Sequence, residues 1–177
     1  MQRPAADEHA ESFRSYIDRV PDGDVVATLE RRGVELRRTF AGVDERRGAF
    51  AYAPGKWTVR RVLQHVVDGE RLFAYRAMCI ARGETASLPG FDEDLYASND
   101  GSDERRLADI VDEFTAVRAA TIALFRGLAA SAWQRRGIAN GKPASVRALA
   151  WITAGHELHH AAVLAERYGI GGNARSH

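Results

Sequence analysis

The feature that most limits the folds open to this chain is helical spacing in four separate stretches, with no strand-like alternation of apolar and polar residues between them. The last stretch is the plainest. Val146, Leu149, Ile152, Thr153, His156, His160, Val163 and Arg167 follow at three- and four-residue steps, so they share one face of a helix with 3.6 residues per turn. Ser145 precedes the run as an N-cap and Gly169 ends it. This predicts a helix from Val146 to about Tyr168.

The second stretch starts as clearly. Thr58 can accept a free backbone N–H, and Trp57 and Val62 stand at the positions of a hydrophobic staple. The helix should run to about Arg82 and stop at Gly83. Before it, a short helix is expected from about Glu8 to Arg19, ending before Pro21. A longer one should run from about Asp24 to Phe40, capped by Asp22 or Asp24 and closed by Gly42. A third long helix starts at Ser102 and carries Leu107, Ile110, Val111, Phe114, Val117, Thr121, Phe125 and Leu128 on one stripe. Residues 84–101 hold Pro89, Gly90, Asn99 and Gly101 and read as a long loop, a feature that is often functional. A polar connection passes through Gly137, Gly141 and Pro143. Four long helices favour an all-α bundle.

With 177 residues the chain fits one domain, 1–177, large enough to bury a core without disulfides or a structural metal. Lys and Arg number 25 against 24 Asp and Glu. That balance gives no electrostatic reason to expect nucleic acid as a partner. Cys79 is the lone cysteine, so no intrachain disulfide can form. No apolar run approaches the roughly 20 residues that span a bilayer, and Met1 to Glu11 is too polar for a signal peptide. These readings place the chain in the cytoplasm by default.

His156 and His160 are four residues apart, so their imidazoles share a helix face and can converge on a metal. His65, seven residues into the second helix, would supply a third nitrogen from a facing helix. Three protein ligands with an open position are the pattern of a catalytic site. A lone inward histidine is more often a hydrogen-bonded core residue, but burying two side by side is costly unless something satisfies both. His156-Glu157-Leu158-His159-His160 also matches H-E-x-x-H, in which Glu157 would be the general base of a zinc protease. The extended protease pattern wants Gly where Val163 stands and His where Glu166 stands, which argues against that reading. His159 is rotated by about 100° and should face a helix boundary or solvent. Arg76 lies on the His65 face, where its guanidinium could pair with an internal acid or receive a substrate carboxylate. Asp68 and Glu157 could orient a ligand histidine. His9 and His177 fall near the chain ends and are assigned no role. Cys79 reads as a small buried hydrophobe.

Trp57 to His65, Asp68 to Arg76, Leu88-Pro89-Gly90-Phe91-Asp92-Glu93 and Gly155 to His160 together resemble the DinB-like superfamily in its DinB-2 branch, over about Tyr16 to Tyr168. The resemblance implies a four-helix bundle with a crossed connection and one divalent ion, zinc, nickel or iron, on His65, His156 and His160. Members of known activity transfer low-molecular-weight bacterial thiols such as bacillithiol or mycothiol, or act as metal-dependent hydrolases. The leading expectation is therefore an enzyme that passes a thiol cosubstrate to a small-molecule electrophile in detoxification or stress response. Glu157 and Arg76 are the remaining catalytic candidates, and residues 84–101 a candidate lid. A hydrolase on the same site and a non-enzymatic metal-binding protein are the alternatives. Family members are often homodimers, which makes a homodimer a further expectation.

Overall fold

The computed structural model describes residues 2–171; His177 lies outside them. A turn of 3-10 helix at Ala6–Glu8 and another at Glu11–Phe13 lead into α1 (Arg14–Ile17). Then come α2 (Val25–Phe40), α3 (Glu45–Gly48), α4 (Val59–Ala81), α5 (Glu93–Asn99) and a 3-10 turn at Ser102–Glu104. The chain continues through α6 (Leu107–Arg126), a 3-10 turn at Ala130–Gln134, β1 (Arg136–Ala139), β2 (Lys142–Ser145) and α7 (Val146–Tyr168).

The long helices begin where their caps dictate. Asp24 accepts from Val26 and Ala27, Thr58 from Arg61, and Ser145 from Ala148. Of the two possible caps of α2, Asp24 serves. The third long helix starts five residues later than its stripe suggested. Arg105 is extended, which separates the turn at Ser102 from α6. The free N–H of Leu107 is instead taken by the Glu45 carboxylate, 3.0 and 3.1 Å away, from an element 62 residues upstream. Residues 84–101 are no plain loop, because Asp92 caps α5 by accepting from Leu95. The polar connection before α7 is an antiparallel hairpin. Its turn, Asn140-Gly141, has φ of 52° and 68°, the left-handed pair that a two-residue hairpin needs. The N-terminal helix is shorter than expected, and 3-10 turns precede it. His9 is buried there, its Nδ1 2.9 Å from the Ala10 carbonyl. Its neighbour Glu8 is tied to Ser145 and Arg147 at the start of α7.

α2 packs on α6 and α7, and α4 packs on the same two helices. Helices that follow one another in sequence, α2 and α4, then α6 and α7, therefore lie across the bundle from each other. That is the crossed connection. The apolar core falls into two parts. One holds Ile17, Leu29, Phe73, Ile80, Phe125 and Trp151; the other holds Leu36, Leu63, Val67, Ile110, Phe114 and Leu164. Between them every long helix contributes buried or half-buried polar groups: Arg32 from α2, His65 and Glu70 from α4, Arg118 from α6, and His156, Glu157 and His160 from α7. The bundle thus carries a polar belt at mid-height.

Candidate metal centre

Two helices build the centre. α4 supplies His65, and α7 supplies His156 and His160 one turn apart. The three side chains come together, with one ring nitrogen of each lying within 4.8 Å of the others. His65 Nε2 and His156 Nε2 are 2.9 Å apart. Ring centroids are separated by 4.8 Å for His65 and His156, 4.7 Å for His65 and His160, and 4.5 Å for His156 and His160.

Close backbone approach makes room for this. A Cβ on Gly69 would lie 2.8 Å from His156 Cε1, so only glycine lets α4 come down on that imidazole. A Cβ on Gly155 would lie 2.0 Å from the Tyr16 carbonyl oxygen. Gly155 thereby seats α1 on α7, and Tyr16 closes over the cluster with its ring 5.4 Å from His156 and 5.3 Å from His159. Phe73 meets His156 edge-on at 5.5 Å, and Trp57 covers His65 at 5.1 Å.

These apolar walls set the electrostatics. Burial holds the His65 pKa down at about 4, with His159 adding to the shift and Asp100 opposing it. Burial and the neighbouring His65 and His159 hold His160 at about 3. Burial, followed by the other imidazoles, pushes His156 well below the usual histidine range. All three are neutral at pH 7, the form that offers a lone pair to a metal. His160 Nε2 is buried without a hydrogen-bond partner, a state that costs free energy unless something fills it. Zn–N bonds of about 2.1 Å at tetrahedral angles put ligand nitrogens about 3.4 Å apart. The 2.9 Å contact and the 4.8 Å limit bracket that value. The donor set therefore fits a divalent ion of the zinc, nickel or iron class, for which imidazole is an ordinary ligand. His160 also lines a cavity of ≈ 310 Å³ together with Trp57, Lys56, Asp94 and Tyr168.

The other sequence candidates lie elsewhere. The Glu157 carboxylate accepts from Arg32 Nε at 3.0 Å and from Nη2 at 2.9 Å. It is committed to an ion pair on α2, not to a base's position beside the cluster. Arg76 is buried and donates to the Pro89 carbonyl at 2.7 Å. Asp68 accepts from Gln64, not from a histidine. His159 is half-buried and outside the group of three, though its ring lies 4.9 Å from that of His160. Tyr16 and Asp100 escaped sequence reasoning. Tyr16 sits in a short N-terminal helix with no spacing relation to the histidines. Asp100, whose Oδ2 is buried without a partner, looks in sequence like an ordinary turn residue beside Gly101.

Among solved structures, the fold is similar to that of YfiT from Bacillus subtilis, described as a probable metal-dependent hydrolase with an unusual four-helix bundle topology. The TM-score is 0.72 at 19% identity, over 95% of this chain and 94% of that one. The mycothiol-dependent maleylpyruvate isomerase is similar at TM-score 0.66 and 13% identity, over 82% of this chain and 61% of that one. At such identities the likeness speaks to fold alone. No curated protein matches the sequence. No helix among the described residues is long and apolar enough to cross a membrane. Residues 28–164, most of the bundle and all three histidines included, match the family model for the DinB superfamily, and the chain belongs to that superfamily.

Proposed function

We propose that this protein is a metal-dependent enzyme whose centre on His65, His156 and His160 activates the thiol of a low-molecular-weight cofactor for transfer to a small electrophile. The observation that carries the reading is the convergence of three inward imidazoles, one of which, His160, has an unpartnered Nε2 and a place in the lining of a ≈ 310 Å³ cavity. Most buried polar atoms find a partner within the protein; this one has none and stands beside two further neutral imidazoles. What a divalent ion supplies in this setting is a lowered pKa for a thiol or water bound to it, hence a nucleophile near neutral pH. The protein's part is to keep three imidazoles neutral and fixed, to exclude bulk water with Trp57, Tyr16 and Phe73, and to leave one side open. The likeness to a mycothiol-dependent isomerase supports the thiol. The likeness to YfiT supports a second reading, hydrolysis with water at the same centre. We further propose that it works as a cytoplasmic homodimer in stress response.

The test is a turnover screen of zinc-, nickel- and iron-loaded protein with several cofactor thiols and an alkylating electrophile, run beside thiol-free cleavage of model esters and amides. Thiol-dependent consumption of the electrophile is expected, and Glu157→Gln should leave it and the metal content nearly unchanged, because that carboxylate serves Arg32. Thiol-independent cleavage would move the assignment to the hydrolase. Protein that rejects all three metals on reconstitution would defeat both.

A further inference from the structure

Three arginines are buried among the described residues: Arg60, Arg76 and Arg118. Arg60 pairs with Glu45, and Arg118 pairs with Glu70. Arg76, 5% exposed, has no carboxylate within ion-pair distance among the described residues. Its contacts are the Pro89 carbonyl on Nη2 and the ring of Phe91, 5.8 Å from the guanidinium carbon. Burial with no opposing acid pushes its pKa down from the usual arginine range. A guanidinium stays charged in proteins, and none of the Arg76 nitrogens is both inaccessible and unpartnered, so the N–H groups that Pro89 does not take keep access to the space beside them. Five N–H donors in a planar fork are there for a planar, bidentate acceptor.

Arg76 forms part of the wall of a cavity of ≈ 300 Å³, with Phe13, Phe91, Leu149 and Ile152 as its apolar sides. This cavity adjoins the metal centre. Tyr16 also lines it and packs on His156, and Ile152 is one turn before His156 on α7. Gly69 meets His156, whereas Arg76 shares a cavity with Leu149 and Ile152, so α4 and α7 run antiparallel along it. Arg76 stands seven residues beyond Gly69, about 10 Å along the helix axis. Glu93 and Lys142 stand at the same cavity. One buried guanidinium, with a carboxylate of the protein nearby, suits a singly charged anion better than a phosphate dianion.

We propose that Arg76 is the anchor for the carboxylate of the molecule on which the three-histidine centre acts, a small monocarboxylic acid with an apolar or aromatic body between its charge and its reacting end. The word substrate rests on the catalytic reading above; the carboxylate site rests on Arg76 and its cavity. The experiment is calorimetric titration with 3-phenylpropionate, its neutral amide and inorganic phosphate, on metal-free and on zinc-loaded protein. The metal-free arm decides, because a carboxylate can also ligate zinc. The carboxylate should bind at least about tenfold tighter than the amide. Arg76→Met should abolish that preference, and Arg76→Lys should keep part of it, with circular dichroism confirming that both variants fold. Equal binding of acid and amide by the unaltered protein would overturn the proposal whether or not the variants fold. So would a preference that survives Arg76→Met, or phosphate binding tighter than the carboxylate. Protein that takes no zinc yet keeps the preference defeats the metal reading and leaves the carboxylate site standing.

Discussion

Two buried polar clusters share the mid-height belt of the bundle, and they are solved in opposite ways. In the first, Arg118 donates from Nε and Nη2 to the two oxygens of Glu70, each at 2.8 Å, and from Nη1 to the Leu29 carbonyl at 2.8 Å. Its guanidinium also lies over the Phe114 ring. Both residues are nearly inaccessible, and every strong demand is met within the protein. In the second, three neutral imidazoles crowd together with one short N···N contact and one nitrogen unpartnered. Burial alone therefore does not mark a functional site, since both clusters are buried. What separates them is whether the protein satisfies its own polar atoms. The first cluster ties α2, α4 and α6 together. The second leaves one ring nitrogen without a partner in the protein.

The comparison breaks most easily on Arg118→Met, which strands the Glu70 carboxylate in the core. Breaking one side of a buried pair costs about 3–5 kcal/mol, and chemical denaturation should show a loss of that size. Adding Glu70→Met should restore most of it, because the stranded charge is gone. If Arg118→Met were neutral, the pair would not be the structural cluster described here.

Alanine at His65, His156 or His160 should do the reverse. The fold should hold by circular dichroism, while metal affinity falls by more than about 100-fold, beyond what outer partners of a metal site cost. His159→Ala, outside the group of three, should cost about tenfold at most. Competition with a chromophoric chelator measures both. Loss of the metal in His159→Ala with retention in His160→Ala would reverse the ligand assignment.

The smallest expected effect, per unit of pH, concerns acid. Free histidine titrates near 6.5, whereas His65 and His160 in the metal-free fold are held at about 4 and about 3. Between those values the unfolded chain binds more protons than the folded one, so stability is full above about pH 6.5 and drains away as pH falls towards 4. Metal-loaded protein should release its ion over the acid side of the same range. Thermal melts of metal-free protein from pH 7.5 to 4 should show the decline, and His160→Gln should flatten it. A melting temperature that rises on acidification would contradict the neutral, buried state of the cluster.

Some of this was legible in the residues and some was not, for a physical reason that runs along the chain. The starts of α4 and α7 were readable because Thr58 and Ser145 act on N–H groups three residues away. The histidine cluster was readable because an i, i+4 pair announces its own geometry. The start of α6 was not, because its first N–H is satisfied by Glu45 from a distant segment. The hairpin before α7 was signalled by Asn140-Gly141, yet its strands are only four residues long and carry no alternation. The first half of α7 is buried nearly all round, wider than the stripe its spacing suggested. The partners of Glu70, Glu157 and Arg76 lie in other elements, and no local rule connects them. For Arg76 the sequence leaves two possibilities, an internal acid or an incoming one, and among the described residues no acid, Glu93 at the same cavity included, lies within ion-pair distance.

The three histidines are made far apart in time, His65 well before His156 and His160. His156 is 91 residues downstream of His65, so at about 5–20 residues per second the ribosome delivers the second nitrogen roughly 5–18 s after the first. In that interval α4 can pair with α6 but has no α7 against it, and two of the three nitrogens do not yet exist in space. The three-histidine group therefore cannot be complete while α4 to α6 are being made. An ion held by the proposed three-histidine site is therefore taken up only after the last helix of the bundle has been made.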